Sequence, residues 1–317
     1  MWDLILPWVI FVTSLAVLIG ASEFFTNAAE RLGILLGLPQ FIIGVTIVSV
    51  GTSLPELLSS MIAVTQDSSE VVLGNVLGSN IANILLVIGI ASLVNKGPIR
   101  ITYDLVSVDL PLFVGSTLLL TLALWDQEFS LGEATLFLLG YLVYLFYIIR
   151  NSREEVQMDD SSFIDRQVFF LLQQILLIAL SAALLYFGAK YTVKSLIQIS
   201  SQLHIGKEIL AITAVALGTS LPELIVSIKA SLKGNGEMAV GNVLGSNIFN
   251  IFVVMAVPSF LGPLKIPESI MSDGAPTLIS GTLLLFFVAQ DRRLTIWEGW
   301  LFLIFYIWFI GKTYSVL

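Results

Sequence analysis

Two stretches of the chain set a carboxylate directly after a proline in otherwise uncharged, apolar surroundings. Gly51-Thr52-Ser53-Leu54-Pro55-Glu56-Leu57 recurs letter for letter as Gly218-Thr219-Ser220-Leu221-Pro222-Glu223-Leu224, an offset of 167. The offset holds downstream. Gly74-Asn75-Val76-Leu77-Gly78-Ser79-Asn80-Ile81 recurs as Gly241-Asn242-Val243-Leu244-Gly245-Ser246-Asn247-Ile248, and Asn83 falls on Asn250. The ligands these motifs offer are all oxygens: the carboxylates of Glu56 and Glu223, the hydroxyls of Thr52, Ser53, Thr219 and Ser220, and the side chains of Ser79, Asn83, Ser246 and Asn250. Ser79 and Asn83 are four residues apart and share a helix face, as do Ser246 and Asn250. Such a set suits Ca²⁺, Na⁺ or Mg²⁺ and disfavours zinc and copper, which prefer nitrogen and sulfur. Mg²⁺ ranks lowest of the three because it sheds its water reluctantly.

The prolines add backbone oxygens. Pro55 has no N–H and its ring clashes with the carbonyl of Gly51, so a helix is expected to break there, and Pro222 does the same to Gly218. Unwound backbone at membrane depth is tolerated where it lines a cavity or is buried in protein, and freed carbonyls there are good ligands for hard cations. A carboxylate in mid-span costs at least ~2.5 kcal/mol on insertion scales. No Lys or Arg stands near Glu56 or Glu223 in the surrounding spans, except Lys229 and Lys233 toward the end of the second copy's helix. That leaves a bound cation or protonation as the compensation. The plainer reading is a pair of protonated carboxyls hydrogen-bonded in a packed core. Gly74-xxx-Gly78 and Gly241-xxx-Gly245 are expected to let helices approach closely.

These motifs must be held by membrane helices. Only 12% of the 317 residues are charged, 56% are hydrophobic and mean hydropathy is +0.94, a composition foreign to soluble domains. Apolar runs fall roughly at 4–24, 39–64, 69–94, 103–124 and 130–150, then at 164–189, 206–231, 236–261, 273–290 and 294–314. The fold class expected is therefore an all-α polytopic membrane protein of ten transmembrane helices. The chain opens Met-Trp-Asp without a basic n-region, so the first helix is expected to be retained. Residues 1–150 form one five-helix repeat, 151–162 a short connector and 163–317 the second repeat. Five is odd, so the second copy enters the membrane from the opposite face, giving inverted-topology repeats, an architecture of alternating access. The site is expected where helices 2, 3, 7 and 8 meet.

Arg31, Lys96, Arg100, Arg150, Arg153, Arg166, Lys229, Lys233, Arg292 and Arg293 fall on one side of this map, against Lys190, Lys194, Lys207, Lys265 and Lys312 on the other. The basic excess marks the cytoplasmic side, so both termini lie outside and the connector inside. The net charge of −8 says little about partners, because placement outweighs the sum. No basic stripe supports nucleic-acid binding. Cysteine is absent and His204 is the single histidine, which excludes disulfides, thiolate sites and His-rich metal sites. His204 is expected in a polar connector. Asp104, Asp109 and Asp273 are expected to cap helix starts, and Trp297, Trp300, Trp308 and Tyr306 to act as interface anchors or lipid-facing packing. An intramembrane hydrolase would lack a base, so no enzyme and no cofactor is expected.

With these residues in view, the chain resembles the sodium/calcium exchangers of the calcium/cation antiporter superfamily, in their compact prokaryotic form. The paired Gly-Thr-Ser-Leu-Pro-Glu and Gly-Asn-Val-Leu-Gly-Ser-Asn motifs are similar to that family's two α-repeats, spanning Gly51 to Asn83 and Gly218 to Asn250. The resemblance implies that Glu56, Glu223 and the carbonyls of Thr52 and Thr219 hold Ca²⁺. It implies Na⁺ sites completed by Ser53, Ser79, Ser220 and Ser246 with the carbonyls of Ser49 and Ala216. Asn250 stands where potassium-dependent members have Asp, which argues against potassium co-transport. The proton/calcium branch carries an acid where this chain has Gly-Ser-Asn, so proton coupling ranks second.

The expected function is then antiport of Na⁺ against Ca²⁺ in the cell membrane, with the ions as substrates, the lipid bilayer as surroundings and no obligate protein partner. One Ca²⁺ neutralises two carboxylates while three Na⁺ leave one excess charge, so three-to-one exchange would be electrogenic. An inward sodium gradient would drive calcium out. Helices 1 and 6 are expected to move as the gate, with Gly20 and Gly188 as hinges. An H⁺/Ca²⁺ antiporter and, below it, a cation channel are the alternatives.

Overall fold

With few charges to interrupt them, the apolar runs fold as helices that satisfy their own backbone groups. The computed structural model describes residues 2–65, 67, 69–151, 164–202 and 220–313. Its helices are α1 (Trp2–Leu35), α2 (Gln40–Ile43), α3 (Ser49–Thr65), α4 (Glu70–Ala82), α5 (Ile88–Val94), α6 (Asp109–Ala123), α7 (Leu131–Asn151), α8 (Ile164–Gln202), α9 (Leu221–Leu232), α10 (Gly236–Phe249), α11 (Ala256–Ser259), α12 (Glu268–Val288) and α13 (Ile296–Thr313). Three π-helical turns, Gly44–Val48, Asn83–Val87 and Asn250–Val254, follow α2, α4 and α10. Among the described residues six helical stretches are long and apolar enough to cross a membrane: Ile5–Leu35, Gln40–Thr65, Glu70–Val94, Leu131–Arg150, Phe169–Thr192 and Gly236–Ser259.

The helices sort by composition. α10 is buried along nearly its whole length, Asn242, Ser246 and Asn247 included, and α4 buries Asn75, Ser79 and Asn80. α1, α7 and α8 turn Val12, Phe24, Val143, Phe146, Phe169 and Leu176 outward. Polar groups in the centre and large apolar side chains on the surface are the arrangement a lipid solvent selects. α1 and α8 pack chiefly on each other at the periphery, where Thr192 donates a hydrogen bond to Ser14 at 2.9 Å. At Gly188 of α8 a Cβ would lie 3.1–3.2 Å from the Cα, Cβ and N of Leu18, so glycine there permits close helix approach. At Gly20 a Cβ would meet nothing within 4 Å.

Helix–helix contact in the centre depends on glycine. A Cβ at Gly241 would sit 2.2 Å from the carbonyl oxygen of Phe41, and one at Gly245 2.3 Å from that of Val45. α10 is therefore pressed against α2 and the π turn after it, as the Gly-xxx-Gly spacing predicts.

Several local expectations are revised. α1 continues past residue 24 to Leu35, because its polar last turns find partners on α9 and the following loop: Glu23 pairs with Lys229 at 3.6 Å and Glu30 accepts from Asn235 at 3.0 Å. α8 likewise outruns its apolar stretch. The helix expected from 103 begins only at Asp109, since Ile99–Arg100 is spent as a short strand (β1) paired antiparallel with Arg293–Leu294 (β2), with Ile99 opposite Leu294. Pro55 does not break its helix: α3 runs through it, and the irregular turn lies upstream at Gly44–Val48. One missing N–H frees one carbonyl, and a π turn gives the helix room to adjust. Pro222 sits in the first turn of α9, where an absent N–H costs nothing.

Asp104 pairs with Arg292 across the loops. Asp109 makes no side-chain cap bond; it is buried and accepts from the Tyr144 hydroxyl at 2.7 Å, tying α6 to α7. Asp273 falls inside α12 rather than at its start. Trp297, Trp300 and Trp308 are exposed as expected of lipid-facing anchors, whereas Tyr306 is buried. All of the 151–162 connector except Asn151, which ends α7, lies outside the described residues, as do residue 163, His204, Lys207 and the first part of the expected seventh helix, including Ala216 and Thr219.

Candidate ion-binding site

α3, α4, α9 and α10 converge, and each brings one piece of a repeated motif. Ser53 and Glu56, three apart, share one face of α3. Ser220 precedes α9, and Glu223 lies in its first turn, where the positive end of the helix dipole favours a carboxylate. Ser49, Thr52, Ser53, Glu56, Ser79, Asn83, Glu223, Ser246 and Asn250 are all fully buried, and Ser220 nearly so. Thus ten of the twelve residues singled out from the sequence come together in the centre, while Thr219 and Ala216 lie outside the described residues.

The hydrogen bonds knit the two halves. Ser53 donates to Glu223 Oε1 at 3.0 Å, and Thr52 donates to Asn242 Oδ1 at 3.3 Å. Asn83 Nδ2 donates to Asn247 Oδ1 at 3.2 Å. The Ser49 hydroxyl is turned back to the carbonyl of Val45, and the one Thr52 proton that can reach Asn242 also lies within range of the carbonyls of Val48, at 3.1 Å, and Ser49, at 3.3 Å. Of the residues singled out as ligands, six buried side-chain atoms have no protein partner among the described residues: Glu56 Oε1 and Oε2, Glu223 Oε2, Ser220 Oγ, Asn83 Oδ1 and Asn250 Oδ1; beside them the amide nitrogen of Asn247, not one of those ligands, is also unpartnered. Each of the six is an oxygen. A buried acceptor left unmet costs about 1–3 kcal/mol, more for a charged group, so this cluster calls for positive charge. No three His, Cys, Asp or Glu side chains gather among the described residues. The charge available is that of two carboxylates, and neutral oxygens complete the set.

Sequence reading passed over a supporting layer. Asn75 Nδ2 donates to the backbone carbonyl of Glu56 at 3.1 Å and to Ser60 Oγ at 3.0 Å, while Asn75 Oδ1 accepts from Ser79 at 3.4 Å. At offset 167 Asn242 Nδ2 donates to Ser227 at 2.9 Å, and its Oδ1 accepts from Ser246 at 3.5 Å. These amides take the hydroxyl protons of Ser79 and Ser246, so that each serine oxygen is left in the role of an acceptor. The signal was available: Asn75 and Asn242 stand one turn before those serines inside the repeated motif.

The sequence pattern of the family described as sodium/calcium exchanger protein matches residues 6–150 and 173–314. The chain belongs to that family. The sodium/calcium exchanger MaX1 of Methanosarcina acetivorans is 32% identical over 96% of this chain and 97% of its own length. The putative antiporter CaxA of Alkalimonas amylolytica is 32% identical over 92% of this chain and 94% of its own. Solved structures of the sodium-calcium exchanger NCX_Mj superpose at a TM-score of 0.82, with 30% identity, over 98% of this chain and 99% of that one. The form soaked with 10 mM Na⁺ and zero Ca²⁺ reaches 0.83. Exchanger-family relatives of this kind are transporters, not enzymes, and the apolar helices agree: this family member is an integral membrane protein and a cation antiporter.

Proposed function

We propose that the chain exchanges Na⁺, three per cycle, for Ca²⁺, and that it normally extrudes Ca²⁺ from the cytoplasm. One observation carries this reading: the unpartnered buried atoms of Glu56, Glu223, Ser220, Asn83 and Asn250 are all oxygens, drawn from both halves of the chain. Glu56, Glu223 and the carbonyls of Thr52 and Thr219 take Ca²⁺. Ser53, Ser79, Ser220 and Ser246, with Asn83, Asn250 and the carbonyls of Ser49 and Ala216, hold Na⁺ around the same carboxylates. The two ions compete for one negatively charged cavity, and competition supplies the coupling.

The architecture in this proposal is ten transmembrane helices in two inverted five-helix repeats, 1–150 and 163–317, with residues 151–162 cytoplasmic and both termini outside the cell membrane. The constant offset of 167 between the two copies of each motif supports it, as do the bonds that run between halves. α1 and α8, packed mainly on each other, are the mobile pair that exposes the cavity to one side and then the other.

The test is calcium-45 uptake into liposomes that hold the purified protein and internal Na⁺, diluted into Na⁺-free buffer. Uptake that requires internal Na⁺ and fails with internal choline supports the proposal. Uptake that follows a pH gradient instead makes the protein a proton-coupled antiporter, and uptake indifferent to both gradients makes it a channel.

A further inference from the structure

Two fully buried amides have no part in the roles above. Asn80 and Asn247 are related by the offset of 167 and lie in the last turns of α4 and α10. Asn250 Nδ2 donates to Asn80 Oδ1 at 3.2 Å, and Asn83 Nδ2 donates to Asn247 Oδ1 at 3.2 Å. Each bond crosses from one half to the other, and the offset turns one bond into its counterpart. Asn80 Nδ2 further donates to the Asn247 carbonyl at 3.5 Å, which fixes Asn80 itself, whereas Asn247 Nδ2 has no partner among the described residues and Asn247 is held through its backbone carbonyl and its Oδ1 alone. Both acceptors are thus engaged by the donor end of an amide that belongs to the ion site.

A carboxamide has two ends of nearly the same shape and opposite polarity. Only the oxygen end can hold a cation; the NH₂ end repels it. With Nδ2 of Asn83 and Asn250 committed, the remaining end of each is Oδ1, and neither Oδ1 has a protein partner among the described residues. An amide without a fixed donor partner would turn at little cost and cancel its own contribution. We infer that Asn80 and Asn247 are positioning residues that hold the carboxamides of Asn250 and Asn83 with their oxygens toward the ion site, each acting across the repeat boundary on the other half. This rests on the assignment of Asn83 and Asn250 as ligands under the proposed function. Their oxygens are neutral, so they matter more for Na⁺ than for Ca²⁺, which the two carboxylates hold. Asn80 and Asn247 therefore tune the balance between the ions.

The experiment is a set of double-mutant cycles in reconstituted full-length protein, read as the Na⁺ concentration that gives half-maximal exchange and as the KM for Ca²⁺. Asn80→Ala and Asn247→Ala are expected to raise the Na⁺ requirement about tenfold and to change the Ca²⁺ KM less than about threefold, roughly the effect of one hydrogen bond to an ion ligand. Asn80→Ala added to Asn250→Ala should change nothing further, and likewise Asn247→Ala added to Asn83→Ala. Asn80→Ala with Asn83→Ala, partners on one helix, should be additive. Additivity across the repeats, or coupling only within a helix, overturns the positioning role and leaves the ligands in place. If Asn83→Ala and Asn250→Ala each leave the Na⁺ dependence unchanged, the ligand assignment falls and this inference with it. Asn80→Ser and Asn247→Ser, too short to reach the amide, carry the same expectations and keep the test open where an alanine variant does not fold.

Discussion

Ser53 donates its hydroxyl to Glu223 Oε1 at 3.0 Å, from the first copy of the motif to the second. The counterpart at the same offset, Ser220 to Glu56, is not made: Ser220 Oγ and both Glu56 carboxylate oxygens have no partner among the described residues. The two carboxylates therefore differ in environment despite identical local sequence. Glu223 also begins a helix and Glu56 lies within one.

Glu56→Gln and Glu223→Gln should each lower calcium flux about 100-fold, the loss of roughly 2–3 kcal/mol expected when a charged ligand is neutralised. Flux of calcium-45 under an outward Na⁺ gradient is the measurement, and wild-type exchange in either variant would remove the central assignment. Ser53→Ala should weaken binding about tenfold through Glu223, on the order of one charge-assisted hydrogen bond.

Asn250→Asp adds a third carboxylate to the cavity. The expected outcome is a changed ion preference and a new dependence on pH, because the carboxamide it replaces has no proton to exchange in this range and a carboxyl does. Exchange measured with and without K⁺ from pH 6 to 9 checks it; an unchanged profile would show that Asn250 does not touch the ions.

Gly241→Val and Gly245→Leu should prevent folding, since even a Cβ would fall within 2.2–2.3 Å of backbone carbonyls at Phe41 and Val45. Overpacking typically costs about 1–3 kcal/mol where side chains can yield, and backbone cannot. Gly20→Ala meets nothing within 4 Å. It should leave thermal stability in detergent unchanged while slowing turnover if α1 bends there, so stability and rate measured together separate packing from hinge.

The chain holds no cysteine, so single cysteines report topology directly. A cysteine at Ser161 in the connector should resist an impermeant maleimide applied to whole cells, whereas one at Gln127 should react. The reverse result would invert the proposed orientation.

Much of the site could be read before any coordinates. Glu56, Glu223, Ser79, Ser246, Asn83 and Asn250 are marked by exact recurrence at one offset, and the apolar runs around them are long enough to span a bilayer, both properties of the chain taken a few residues at a time. Their chemistry follows as directly, because oxygen ligands without nitrogen or sulfur define a class of cation. The pairing was not legible. Ser53 to Glu223, Asn83 to Asn247 and Asn250 to Asn80 join residues more than 160 positions apart, and only the packing of α3, α4, α9 and α10 selects among equivalent serines and amides. The same holds for α1, whose polar end stays helical through partners on and beside α9, and for Ile99, drawn into a strand by Leu294. Composition decides which solvent a segment prefers and motif spacing decides which atoms it can offer. Which of those atoms is already satisfied, and which is left for an ion, is decided by long-range contacts that exist only once the helices have packed.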